Sequence, residues 1–439
     1  MIVSSRLRAL AGPVVALALL AAAVSTAVDQ FGVYFGVDFY HLWGVGLAHR
    51  TVPGDPYSHI DEYSRALTGI AAVSPDKILP YTSKFREIIQ PTGTPFFYAV
   101  FDVLPAGFDF GAALYYWFTF IVLVAGAYAM GRMRGLPRWA ALSLGPLISM
   151  TFNAFIHDMA NGNVTTLQMG VIVLVIAVTH YGLDERSKAI RLAYLPALAL
   201  FVVFKPNTLP VGAMLALSYA VRFGARETLR GVVASAVACA LAWLVGVVFF
   251  GDIAAWSHWY RYTQGWNGGT LLYNLDSGNL SLGMLISERS HVLGPYQSGV
   301  LLGAALLFFF FAAVTSLGKR MAGAVDATKR ILADPWCAAS IGVLIELAIT
   351  PLMWPYYRML ALVPVFWLVW RRQRWDAATL WTALAYVMMS RQVVLALIEP
   401  ALLPFHRLDN LLAWLPLVPA MCAALAREAA GARAPEVAK

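Results

Sequence analysis

Charge is what this chain has least of. Only 13% of its 439 residues are charged, against about 25% in a typical soluble domain. Cysteine is scarcer still: Cys239, Cys337 and Cys422 stand far apart in apolar runs, which excludes a disulfide framework. No Cys/His group with zinc spacing and no Asp-x-Asp pair on a soluble domain is present, so the sequence yields no metal site. Metal-independent chemistry without a cofactor is expected. There is no repeat of fixed period, and no low-complexity tract beyond the Ala-rich tail 423–438.

What is abundant is apolar. Hydrophobic residues make up 60% of the chain, and the mean hydropathy is +0.66. A single soluble core stops growing near 250–300 residues, so soluble, disordered and nucleic-acid-binding classes are excluded. The net charge of +8 then reads as loops facing anionic lipid rather than as affinity for nucleic acid.

A bilayer core of about 30 Å needs about 20 apolar helical residues. The sequence predicts an all-α polytopic membrane protein with twelve spans: 9–28, 108–131, 139–156, 163–181, 191–204, 207–221, 231–250, 299–317, 335–350, 356–370, 377–398 and 409–426. Two pairs of short spans are joined by Pro-containing knots, KPNTLP (205–210) and TPLMWPYYR (350–358), and read as helices broken inside a cavity. With both termini in the cytoplasm, 21 of the 32 Lys and Arg fall in inner segments, and 16 of the 24 Asp and Glu fall elsewhere. Every inner segment is then basic, as the positive-inside rule requires. The first span reads as an anchor because its length exceeds a signal-peptide core; a cleaved signal is the alternative.

Two long outer loops interrupt this pattern, 29–107 and 251–298. Loops of this length are functional or disordered, and their many aromatics predict ordered structure on the membrane surface. In the first loop, Phe39, Trp43 and Leu47 share one helical face, predicting a short helix lying in the interface. Asp38 precedes it at an N-cap position. It reads either as a cap or as a carboxylate poised to take a proton from an incoming hydroxyl. GDPY (54–57) is a turn, with Asp55 as turn chemistry. In the second loop, WSHWYRYTQGW (256–266) reads as a lid or as an interfacial anchor. Glu346 is an intramembrane carboxylate, a functional candidate by default.

The stretch DFYHLWGVGLAHRTVPGDPYSHIDEY resembles the opening of glycosyltransferase family 87, membrane enzymes that use polyprenyl-phosphate sugars. Five further segments resemble that family in the same order. They are QPTGTPFFYAVFDVLP (90–105), NGNVTTLQMGVIVL (161–174), FKPNTLPVGAMLAL (204–217), NLDSGNLSLGML (274–285) and TPLMWPYYRMLALVPV (350–365). The chain departs from the pattern at Asn163, where Gln is usual, and at Tyr356 and Tyr357, where a His pair is usual.

The resemblance implies one integral membrane domain over 1–439 with a C-type glycosyltransferase (GT-C) fold and juxtamembrane helices on the outer face. It also implies an inverting transfer from a polyprenyl-phosphate sugar donor, mannose favoured over arabinose, to a glycan or glycolipid acceptor. Asp38 matches the family's catalytic base. Lys205, Arg358 and Arg261 are the candidate donor-phosphate ligands, with membrane snorkelling or solvated loop charge as their ordinary explanations. Asp55, Tyr57, His157, Asn161, Asn163, Tyr356 and Tyr357 are candidate sugar or acceptor contacts. Capping of a short turn accounts equally for HDMANGN (157–163), and belt aromatics for the Tyr pair. The competing classes are a lipid-linked glycan polymerase or ligase and a twelve-helix transporter. No related halves support the latter.

Overall fold

The computed structural model describes residues 2–33, 36–70, 89–105, 107–181, 188–267, 281–315, 321–351, 353–370, 376–390 and 413–429. Among them no strand occurs. Four helices are long and apolar enough to cross a membrane, or six if each of two bent pairs counts as one span. Long apolar helices of this kind fit an integral membrane protein. Among the described residues, 163–181, 191–204 and 356–370 lie largely in shorter helices, and 377–398 and 409–426 fall partly outside the described residues.

The chain divides into two compact units. The first comprises Met1–Ala177, Val203–Lys205 and Ala236–Gly265. It opens with α1 (Ile2–Val33), α2 (Val37–His49), α3 (Ile60–Ile70), α4 (Pro95–Phe101), α5 (Phe108–Met133), α6 (Arg138–Thr151), α7 (Asn153–Asn161) and α8 (Thr165–Tyr181). α9 (Lys188–Phe204) falls almost wholly in the second unit, α10 (Leu209–Phe250) contributes to the second up to Ser235 and to the first from Ala236, and α11 (Ala255–Asn267) belongs to the first up to Gly265. The second unit takes Val178–Val202, Pro206–Ser235 and Trp266–Lys439. Its later helices are α12 (Leu282–Ser290), α13 (Pro295–Thr315), α14 (Met321–Ala333), α15 (Pro335–Ile349), α16 (Leu362–Trp370), α17 (Ala377–Met389) and α18 (Leu417–Ala429).

Three expectations about spans change. The segment 139–156 is not one rod: α6 and α7 meet at 71°. The segments 207–221 and 231–250 are two arms of the single stretch α10, interrupted only at Gly224 (φ 78°, ψ 175°), a backbone conformation that glycine alone adopts cheaply. The segment 356–370 begins as a 3₁₀ stretch, Pro355–Ala361, before α16. Both Pro-containing knots do break helices. KPNTLP becomes a 3₁₀ turn at Pro206–Thr208, and α15 ends at Ile349, just before Pro351. Proline has no N–H to continue the ladder.

The expected outer loop 29–107 carries α2, α3 and α4 among its described residues, with turns at 50–59 and 102–105. α2 does not lie on a surface with one face covered. Phe39, Tyr40, His41, Leu42, Trp43, Val45 and Ala48 are all buried, as a helix apolar on every side must be. Its rings pack edge-on to α5: Phe39 and Trp43 stand 5.5 and 4.9 Å from Phe108. The Trp43 Nε1–H donates to the Pro105 carbonyl at 3.0 Å. On another side Gly44 admits Leu67 of α3, whose Cδ1 would lie 2.6 Å from a Cβ at Gly44. α4 starts where Thr94 caps it, its Oγ1 accepting from Phe97 N–H at 3.1 Å, with Pro95 in the first turn; both are favoured at helix starts.

Candidate functional site

Asp38 is the one carboxylate on the largely buried helix α2. It is half-buried and lies inside the first turn. The N-cap position belongs to Gly36, which has no side chain to cap with. The capping reading therefore fails, although a carboxylate in a first turn still meets the positive end of the helix dipole.

Two glycines bring this turn against the α7–α8 junction. A Cβ on Gly36 would meet the Asn161 carbonyl at 2.9 Å, and one on Gly162 would meet the Phe39 Cβ at 2.5 Å. Gly162 also closes α7 in the left-handed conformation (φ 67°, ψ 37°), the usual role of a glycine after a helix. HDMANGN is thus not a loop. His157, Asp158 and Asn161 ride on α7, and only Gly162 and Asn163 turn the chain.

The turn delivers Asn163 to Asp38. The Asn163 Nδ2–H donates to Asp38 Oδ2 at 2.8 Å. The rest of Asn163 is tied down. Its Oδ1 accepts from Val164 N–H at 2.7 Å and from the Thr165 hydroxyl at 3.0 Å. Its backbone carbonyl accepts from the Tyr115 hydroxyl at 2.8 Å. With Oδ1 committed to two donors, the amide faces Asp38 with its NH₂ group. Asn163 was expected as a sugar contact; its geometry makes it the holder of the carboxylate.

Asp158 is completely buried in the same region. Its Oδ2 accepts from Thr166 N–H at 2.8 Å, and its Oδ1 has no hydrogen-bond partner. His41, one helical turn beyond Asp38 on α2, is buried too. Its Nδ1 accepts from Gln90 N–H at 3.4 Å, and burial pushes its pKa down from 6.5 to about 4. Asp158 belongs to HDMANGN, whose polar groups were expected to hold sugar; His41 was not singled out from sequence. His41 sat unremarked in DFYHLW, inside an apolar run.

Other expected contacts turn inward. Asp55 is completely buried. Its Oδ1 accepts from Tyr57 and Ser58 N–H at 2.9 and 3.0 Å. Its Oδ2 accepts from the Ser58 hydroxyl at 2.9 Å and meets His258 Nδ1 at 2.7 Å. Tyr57 is buried and donates its hydroxyl to the Gly93 carbonyl at 2.7 Å. Burial raises its pKa well above the usual phenol value. Asp55 and Tyr57 therefore hold the fold together, in place of the sugar or acceptor role expected of them. Asn161 spends its amide on the His157 carbonyl, 2.8 Å away in its own helix.

The three expected phosphate ligands are divided between the two units. In the first unit, the Lys205 ammonium lies 5.9 Å from the centre of the Phe97 ring, within cation–π range. Arg261 is exposed on α11, its Nε–H 3.4 Å from the Ser257 carbonyl. In the second unit, Arg358 is completely buried, its Nε–H donating to the Pro355 carbonyl at 3.2 Å; it does not snorkel. Beside it in sequence, Tyr356 is buried and Tyr357 half-buried, with ring centres 5.2 Å apart. Glu346 is buried and accepts from Asn207 Nδ2–H at 3.0 Å, so the KPNTLP knot is tied to α15.

Among the described residues, one group of side chains has the spacing to hold a cation, where the sequence pointed to none. Asp55, Asp252 and His258 place ligand atoms within 4.8 Å of one another. The spacing of motifs in sequence carries no sign of it, because Asp55 and His258 are 203 residues apart.

Comparison with protein-family models, with curated proteins and with solved structures finds no match to this chain.

Proposed function

We propose that this chain is an inverting glycosyltransferase of the GT-C type. It moves a sugar, mannose in preference to arabinose, from a polyprenyl-phosphate donor to a glycan or glycolipid acceptor. The observation that carries this reading is the Asp38–Asn163 pair: a half-buried carboxylate on a largely buried helix, held by an amide whose own orientation is fixed. The six family-like segments of the sequence supply the substrate class.

Asp38 accepts the proton of the acceptor hydroxyl as that oxygen bonds to the anomeric carbon. The bond from that carbon to the phosphate oxygen breaks on the opposite face, and one displacement inverts the centre. The lipid phosphate leaves with the electron pair and needs fixed positive charge; Lys205, in the same unit as Asp38, is the cation proposed to supply it. The twelve segments cross or enter a bacterial cytoplasmic membrane, some of them as broken spans, with both termini inside and Asp38 at the outer face.

The test is transfer of radiolabelled sugar from a polyprenyl-phosphate donor by the full chain in nanodiscs. Asp38→Asn should lose activity by roughly 10²–10⁴-fold, the usual worth of a general base, while remaining monodisperse. Near-full activity in that variant overturns the assignment.

A further inference from the structure

The Asp55–Asp252–His258 group lies apart from the chemistry proposed for Asp38, and all three residues belong to the first unit. Its architecture converges on one point. Asp55 gives Oδ1 to the N–H groups of Tyr57 and Ser58, and Asp252 gives Oδ1 to the N–H of Ala254 at 2.7 Å. Each aspartate thereby turns Oδ2 toward the same atom, His258 Nδ1, at 2.7 Å for Asp55 and 3.5 Å for Asp252.

Those separations have a chemical meaning. Bonds of about 2.0–2.2 Å from a divalent ion to imidazole nitrogen and carboxylate oxygen put neighbouring donors about 2.9–3.5 Å apart, from octahedral to tetrahedral angles. The 3.5 Å separation falls at the tetrahedral end of that range, and the 2.7 Å separation is a direct hydrogen-bond distance that must lengthen slightly to admit an ion.

Charge points the same way. Among the described residues, His258 is the only cationic partner of Asp55 and Asp252. Two carboxylates meet here, with Asp55 completely buried. A divalent cation matches the charge of two carboxylates, and an uncompensated buried charge is expensive. Side-chain exposures of 28% for Asp252 and 26% for His258 leave room for water to complete the coordination sphere.

We infer that Asp55, Asp252 and His258 form a binding site for a divalent transition-metal ion of the zinc type, which fastens the GDPY turn to the start of α11. On binding, the ion takes the lone pair of His258 Nδ1 and the Oδ2 atoms of the two aspartates, and any proton held between His258 Nδ1 and Asp55 Oδ2 passes to water. The Ser58 hydroxyl continues to donate to Asp55 Oδ2. Two oxygens and one imidazole nitrogen are a borderline donor set, suited to Zn²⁺ or Co²⁺ over Mg²⁺. The role is structural and independent of sugar transfer.

The test uses the full chain, purified in detergent without a polyhistidine tag and stripped with EDTA. Titration with Zn²⁺ should fill one site per chain and raise the unfolding temperature. Co²⁺ should give a visible ligand-field band from the same site. Asp252→Asn and His258→Ala should each weaken Zn²⁺ tenfold or more, since even outer-shell losses cost 10–100-fold. Absence of stoichiometric binding at micromolar zinc overturns the proposal and leaves an Asp–His–Asp ion pair only. Binding that survives unchanged in both variants places the ion elsewhere and overturns it equally. Should a variant aggregate, the wild-type chain decides: no change in unfolding temperature between zinc-loaded and EDTA-treated protein rejects the site.

Discussion

Asn163 donates to the Asp38 carboxylate at 2.8 Å although 125 residues separate them in the chain. This bond restricts Asp38 to one orientation, and it depends on the Tyr115 hydroxyl and the Thr165 side chain that hold Asn163 in turn. Asn163→Ala should therefore lower kcat by roughly 10–100-fold, the cost of a base misplaced by about an ångström, with the acceptor KM little changed. Asn163→Gln should not rescue it, because the longer side chain cannot keep both ends of the bond. Steady-state kinetics on the two variants separate this from a sugar-binding role, in which KM rises and kcat holds.

Gly162 makes that approach possible. At φ 67° with a would-be Cβ 2.5 Å from the Phe39 Cβ, alanine there meets both backbone strain and a clash. Gly162→Ala should cost about 1–3 kcal/mol and lower the unfolding temperature in detergent. It should also impair transfer by moving Asn163 off Asp38. Gly135, with φ 80° and nothing within 4 Å of its would-be Cβ, is the matched control. Its alanine variant carries strain alone and should leave activity intact.

His41 supplies a pH dependence. Burial lowers its pKa from 6.5 to about 4, so between these values the unfolded chain binds a proton that the native chain does not. Stability must then rise with pH across this window and fall as the solution is acidified from about 6.5 toward 4. A shift of this size corresponds to ~3 kcal/mol at the acid end. Asn carries an acceptor near the position of Nδ1 and does not titrate there. His41→Asn should therefore flatten the acid limb of a plot of unfolding temperature against pH between 4 and 6.5.

Much of the helical framework was legible because apolar runs long enough to be helices stand out against so little charge. The lengths were not. Whether 207–221 and 231–250 are two spans or two arms of α10 turns on Gly224, one residue among the arginines that looked like a loop. The burial of α2 was half legible. The Phe39–Trp43–Leu47 stripe is visible in sequence, but the covering of Tyr40, His41 and Val45 depends on α3, α4 and α5 arriving from elsewhere. Asp38 could be singled out for its place in a motif, but its partner could not. Asn163 read as one polar residue among several in HDMANGN until the left-handed Gly162 aimed it. The Asp55–Asp252–His258 group had no sequence signature, since its members come together only through tertiary contacts.

Tyr57 distinguishes a structural contact from a ligand contact. Its hydroxyl donates to the Gly93 carbonyl at 2.7 Å inside the core that includes Tyr98 and Phe250. Tyr57→Phe leaves that carbonyl without this donor at a cost of about 1–3 kcal/mol. The expected result is a lower unfolding temperature with the acceptor KM unchanged. A raised KM at unchanged stability would return Tyr57 to the sugar-binding role that its GDPY setting first implied.

The sidedness of the chain can be tested without any substrate. The basic segments put Arg222, Arg226 and Arg230 inside, while the proposed chemistry puts α2 and α3 outside. Arg226 is exposed, and Glu62 on α3 is 49% exposed, so a cysteine at either position is open to a water-soluble reagent. The native Cys239 and Cys422 are half-buried and Cys337 is buried, and all three are first replaced by alanine. In intact spheroplasts a membrane-impermeant maleimide should label Glu62→Cys and spare Arg226→Cys until the membrane is opened. The reverse pattern would place Asp38 on the cytoplasmic side. A polyprenyl-phosphate sugar presented at the outer face would then never meet it.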